Sequence, residues 1–97
     1  MKIELDREQI AEYCRRHHIR RMALFGSVLR EDFGPDSDVD VLVEFEPDHV
    51  PGYGFIGIQD ELSEFFDGHP VDLCTEKSLH PLIKDRVIRD AEIIFAR

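Results

Sequence analysis

Two short motifs in this chain have the residue types and spacing for chemistry. Gly26-Ser27 is followed by ten residues and then by Asp38-Val39-Asp40. Gly26-Ser27 comes directly after the apolar run Met22 to Phe25, which reads as a strand. Glycine lets a backbone approach a ligand closely, and serine can cap a helix that begins there. A helix N-terminus with free N–H groups attracts phosphate. Asp38 and Asp40 open a second apolar run, Val39 to Phe45. Side chains at i and i+2 of a strand leave the same face, with Cα atoms about 7 Å apart. Like charges held that close repel unless a cation lies between them. A donor set of oxygens alone favours Mg²⁺, which is held by one or two carboxylates together with substrate phosphates. One motif therefore offers a phosphate cradle and the other a metal clamp, a combination suited to a nucleoside triphosphate.

Either motif by itself is common in ordinary turns, and Pro35-Asp36-Ser37-Asp38 has good turn composition. Their combination is more informative. An apolar strand follows Asp38 at once, which sets Asp40 inside a strand, where aspartate is depleted and costly to desolvate.

The elements around these motifs can be read in order. Asp6 caps a first helix, with Gln9 in capping-box position and Leu5 and Ile10 placed as a hydrophobic staple. Ile10, Tyr13, Cys14 and His17 form its apolar stripe. The basic run Arg15-Arg16-His17-His18 complements the C-terminal end of the helix dipole, or alternatively offers a small phosphate or partner patch. Ser27 to about Asp32 reads as a short helix and Phe33 to Asp36 as a turn. Val41-Leu42-Val43 is apolar on both faces, which predicts a central strand covered on both sides. Pro47 to Gly54 reads as a loop. Phe55, Ile58, Leu62, Phe65 and Phe66 mark a second long helix that ends at Asp67-Gly68. Pro70 to Cys74 is a third strand with Asp72 in its middle. Pro81 suits the first turn of a last helix, with Ile83, Val87 and Ala91 on one side, and Ile93-Ile94-Phe95 reads as a closing strand or apolar tail. The expected architecture is α+β, a mixed sheet of about four strands with helices packed on it.

Composition limits the options. The 97 residues suit a single domain, 1–97, with a modest core and no room for a separate substrate domain. The formal net charge is -9, from 21 acidic and 12 basic residues, which argues against direct nucleic-acid binding and favours a cationic ligand or a basic protein partner. Cys14 and Cys74 form neither a CxxC nor a zinc pattern, and reduced cytoplasmic thiols are the simpler reading. The polar N-terminus is no signal peptide, and no apolar run approaches transmembrane length. The expected location is cytoplasmic, with no membrane association. His49, His69 and His80 are scattered and receive no chemistry.

The spacing Gly26-Ser27, ten residues, Asp38-x-Asp40 resembles the signature of the DNA polymerase beta-type nucleotidyltransferase superfamily. From about Ile19 onward the chain is similar to the minimal nucleotidyltransferases, the antitoxin partners of HEPN ribonuclease toxins. That resemblance implies a third carboxylate from a later strand, and Val71-Asp72-Leu73 fits the position. It further implies that Asp38, Asp40 and Asp72 bind two Mg²⁺ ions. Gly26, Ser27 and Arg30 would then hold the phosphates of ATP. Many relatives carry Ala-Arg-Gly where this chain has Leu29-Arg30-Glu31, so Arg30 is retained while Leu29 and Glu31 depart. Arg30 taken alone can equally pair with Glu31 or Asp32. The implied activity is transfer of AMP from ATP to a tyrosine hydroxyl of a cognate HEPN toxin. A binding-only antitoxin with a vestigial site and a small-molecule nucleotidyltransferase remain open.

Overall fold

The computed structural model describes residues 4–30, 33–49 and 54–97. Helix α1 spans Arg7–Arg16, and the Asp6 carboxylate accepts the Gln9 backbone N–H at 3.1 Å, the cap that the sequence predicts. Arg15 and Arg16 lie in its last turn. His18 ends it in the left-handed region, at φ 58°. Strand β1 spans Ile19–Phe25, three residues earlier than the apolar run suggests, because Arg20 and Arg21 point to solvent while Ile19 is buried. Strand β2 spans Val39–Phe45. Helix α2 covers Gly54–Ser63 and tightens into a 3₁₀ turn, Glu64–Phe66, which Asp67 and Gly68 close at positive φ. Strand β3 spans Val71–Cys74, helix α3 Pro81–Asp90 and strand β4 Glu92–Ala96.

The four strands form one mixed sheet in the order β3-β2-β1-β4. β1 pairs antiparallel with both β2 and β4, whereas β2 and β3 are parallel. The parallel pair is joined through α2, as parallel neighbours require a crossover. This is the expected α+β fold with the expected number of strands.

The sheet has a covered face and an open one. Val39, Val41, Val43 and Phe45 of β2 are buried, with Met22 and Leu24 of β1, against Ile10, Tyr13 and Cys14 of α1 and Ile58, Leu62 and Phe66 beside them. Each of the larger side chains contributes roughly 1.5–3 kcal/mol by leaving water. Asp40, Leu42 and Glu44 alternate to the other face, where Asp40 and Leu42 are half-buried and Glu44 is exposed. The expectation that β2 is covered on both sides is thus corrected. The cause lies in α3, whose residues bury no side chain fully, although Val87, and Ala91 just after the helix, are half-buried. Leu82 of that helix is 88% exposed, and Ile83 also stands largely in solvent. The last apolar segment resolves as β4, with Ile94 and Phe95 buried.

Candidate active site

The open face places Asp40 and Asp72 side by side. Asp40 is the β2 partner of Asp72 on β3 and of Phe25 on β1. Parallel neighbours in register share a face, with strands about 4.8 Å apart. The third aspartate, Asp38, lies one residue before β2 and is exposed. Asp38 and Asp40 are two residues apart in the chain and the charge of Asp38 acts on Asp40; the sheet brings in Asp72.

Gly26 follows Phe25 directly and turns the chain across the end of Asp40. Its φ is +76°, and a Cβ built on it would stand 2.2 Å from Asp40 Oδ2. The Asp40 carboxylate therefore rests on a bare α-carbon, and only glycine leaves that space. The expected short helix after Gly26 is a single 3₁₀ turn, Gly26–Leu29, and Asp32 lies outside the described residues. Ser27 does not cap it. Its hydroxyl donates to the Asp38 carbonyl at 3.3 Å and so ties the glycine turn to the aspartate loop. Arg30 closes the turn, exposed, with its charge acting on Asp40. Its possible partners Glu31 and Asp32 are outside the described residues, as are residues 50–53 of the Pro47 to Gly54 loop.

Electrostatics set Asp40 apart. Burial pushes its carboxyl above the ordinary aspartate value, Asp72 and Asp38 push it further in the same direction, and Arg30 offsets part of the effect. A carboxylate made costly by burial and by two like charges is one that a cation would stabilise. The donor set is hard oxygen, which fits Mg²⁺ better than a softer metal.

Three neighbours that sequence reasoning passed over hold this arrangement. His69 donates from Nδ1 to the Ser37 carbonyl at 2.8 Å, and its ring lies 4.8 Å from that of Phe33. The Ser37 hydroxyl accepts the Gly34 N–H at 3.0 Å, so the loop carrying Asp38 is fixed from both sides. Gln59 of α2 accepts the Leu73 N–H at 2.9 Å and secures the edge strand beside Asp72. Cys74 Sγ lies 4.0 Å from Asp72 Oδ1, and burial together with Asp72 and Asp40 pushes its thiol up to about 11. No local signal marks His69 or Gln59, because their partners Ser37 and Leu73 lie 32 and 14 residues away in the chain. Glu44 lies beyond the site, exposed and 3.7 Å from Arg20.

A mixed sheet with a glycine-serine turn packed on a strand aspartate, and a second aspartate in register beside it, is the core of a nucleotidyltransferase. The nucleotidyltransferase domain family matches residues 7–94, and the chain belongs to that family. It is 34% identical, over 94% of its length and 96% of the relative's, to the "Putative protein adenylyltransferase MJ0435" of Methanocaldococcus jannaschii. It is 36% identical to the protein adenylyltransferase MntA of Thermococcus cleftensis, over 81% of this chain and 78% of that one. Among solved structures, a minimal nucleotidyltransferase, described as putative, superposes with a TM-score of 0.70 at 34% identity, covering 88% of this chain and 85% of the other. A toxin–antitoxin structure with AMP-PNP shares the fold at a TM-score of 0.73 and 20% identity, over 96% of this chain and 75% of that chain. Among the described residues no helix is long and apolar enough to cross a membrane.

Proposed function

We propose that this chain is a single minimal nucleotidyltransferase domain, 1–97, that acts as a cytoplasmic antitoxin. It transfers AMP from ATP to a tyrosine hydroxyl of a cognate HEPN-type toxin. The observation that carries this reading is the register pair Asp40–Asp72, with Gly26 packed against Asp40. Asp38, Asp40 and Asp72 are the residues that would hold two Mg²⁺ ions. When bound, such ions neutralise the triphosphate and lower the pKa of the acceptor hydroxyl. The Gly26 backbone and the Ser27 hydroxyl, on leaving the Asp38 carbonyl, hold the β- and γ-phosphates, and Arg30 adds positive charge at the same edge. Asp72, exposed on the edge strand, takes the hydroxyl proton. The acceptor oxygen forms its bond to the α-phosphorus, the bond from that phosphorus to the bridging oxygen breaks, and diphosphate leaves.

In this reading the acceptor comes from another chain. The relatives named protein adenylyltransferases support a protein acceptor. The toxin–antitoxin structures of the same fold support a toxin as that protein. Leu82, Ile83 and Ile88, spread around α3, and Ile93 on β4 are exposed, an apolar surface available to such a partner. The same surface favours a second reading, a binding-only antitoxin that blocks the toxin by occupying it.

The test incubates the chain with its cognate toxin, Mg²⁺ and α-labelled ATP, and reads the intact mass of both proteins. An AMP-sized gain on the toxin, lost with Asp38→Ala/Asp40→Ala, is the expected result. A stable complex without mass gain, formed equally well by the substituted chain, would establish the binding-only antitoxin instead.

A further inference from the structure

The end of the sheet remote from the aspartates carries a second cluster of ligand-type side chains. His18, Glu46 and His49 have donor atoms that all lie within 4.8 Å of one another, the one such trio among the described residues. Glu46 lies six residues beyond Asp40 along the direction of β2, about 20 Å away at strand rise. We propose that His18, Glu46 and His49 form a binding site for a divalent transition-metal ion of the Zn²⁺ class.

The backbone preorganises the three. The Glu46 N–H donates to the His18 carbonyl at 2.8 Å, and the His49 N–H donates to the Glu46 carbonyl at 3.1 Å. His18 sits at φ 58° where α1 turns into β1, and Asp48 at φ 70° reverses the chain after β2. These two turns bring the imidazoles face to face, with centroids 3.8 Å apart and planes 13° from parallel. The Glu46 carboxylate is held as well. Arg97 donates to its Oε1, while Oε2 faces His18 Nδ1 at 3.6 Å. One oxygen is thus anchored and the other presented, the arrangement that outer contacts give to metal-bound carboxylates.

The donor types select the ion. Two imidazoles and a carboxylate, with one position left for water, suit four-coordinate Zn²⁺, whereas Mg²⁺ prefers oxygen alone. Around such an ion the donors stand about 3.4 Å apart, so the trio, now within 4.8 Å, must close by up to about 1.4 Å. The side chains have that freedom, since His18 is 47% exposed and a turn of each ring aims one nitrogen at a shared point. Arg20 is paired with Glu44, and the net charge of -9 draws cations to the chain. The bound ion would pin the turn between α1 and β1 to the end of β2.

The test titrates Zn²⁺ alone into the full chain carrying Asp38→Ala/Asp40→Ala, which removes the competing carboxylates, with heat as the readout. Circular dichroism checks the fold of every variant. One equivalent should bind. Adding His49→Ala, or His18→Asn, which suits the left-handed turn, should weaken binding by at least about tenfold. His80→Asn, which keeps a capping side chain on α3, should leave binding unchanged. Absence of saturable binding, or binding undiminished by both histidine substitutions, would overturn the proposal.

Discussion

Replacing Gly26 by alanine should damage stability and transfer by separable amounts. The new Cβ would stand 2.2 Å from Asp40 Oδ2, where ordinary contact begins at 3.4 Å, so the carboxylate must retreat by about 1.2 Å. The backbone adds a second cost, because alanine at φ +76° pays about 1–2 kcal/mol for a left-handed conformation. Gly68 supplies the control. Its φ is +79°, and nothing lies within 4 Å of an added Cβ, so Gly68→Ala carries the strain without the clash. Gly68→Ala should lose roughly 5–15 °C in melting temperature, since 1 kcal/mol corresponds to about 4–8 °C in a domain of this size, and Gly26→Ala at least as much. Only Gly26→Ala should lose activity, by about 100-fold, as expected for a catalytic group displaced by about 1 Å. The assay is AMP transfer from α-labelled ATP to the cognate toxin, at a temperature where both variants are folded. If Gly26→Ala transfers AMP within about threefold of Gly68→Ala, the contact between Gly26 and Asp40 does not position the carboxylate.

Asp40→Asn should abolish transfer and yet stabilise the fold at pH 7 by about 0.5–2 kcal/mol, measured by urea unfolding. The folded carboxyl holds its proton more tightly than the unfolded one, so wild-type stability falls relative to the variant as pH rises above 3.8, and the gap closes below it. A variant no more stable than wild type at pH 7 would contradict the crowding of Asp40 by Asp72 and Asp38. Phe66→Ala empties a fully buried position between α2 and the sheet and should cost about 3–5 kcal/mol, lowering the urea midpoint by about 2 M or more. Cys74 and Cys14, pushed up to about 11 and about 12, should react slowly with a disulfide reagent at pH 8 and quickly after unfolding. Rapid native labelling of Cys74 would contradict its packing beside Asp72.

Local pattern sufficed wherever partners are close in the chain. The Asp6 cap and the apolar stripe of α1 are both in place, as is the end of α2 at Asp67-Gly68. Pro81 stands in the first turn of α3, where the sequence puts it. The closeness of Asp38 to Asp40 was legible in their spacing, and the charge of Asp38 acts on Asp40, while the strand itself begins only at Val39 and leaves Asp38 just outside it.

Tertiary structure decided what periodicity does not encode. The pairing of Asp40 with Asp72 depends on the register of two parallel strands separated by a helix, which is set by how α2 packs rather than by either strand. The open face behind Leu42 could not be read from an apolar triplet, since burial depends on whether a helix arrives to cover it, and α3 leaves it partly bare. Ser27 has the composition of a cap but donates across the fold to the Asp38 carbonyl, because the glycine turn brings that oxygen within reach. His69 and Ser37 meet only because β3 returns beside β2. Sequence by itself determined which residues have the chemistry and which share a strand or helix face. The fold decided which faces meet, because strand register and helix cover are properties of long-range packing that no local run of residues carries.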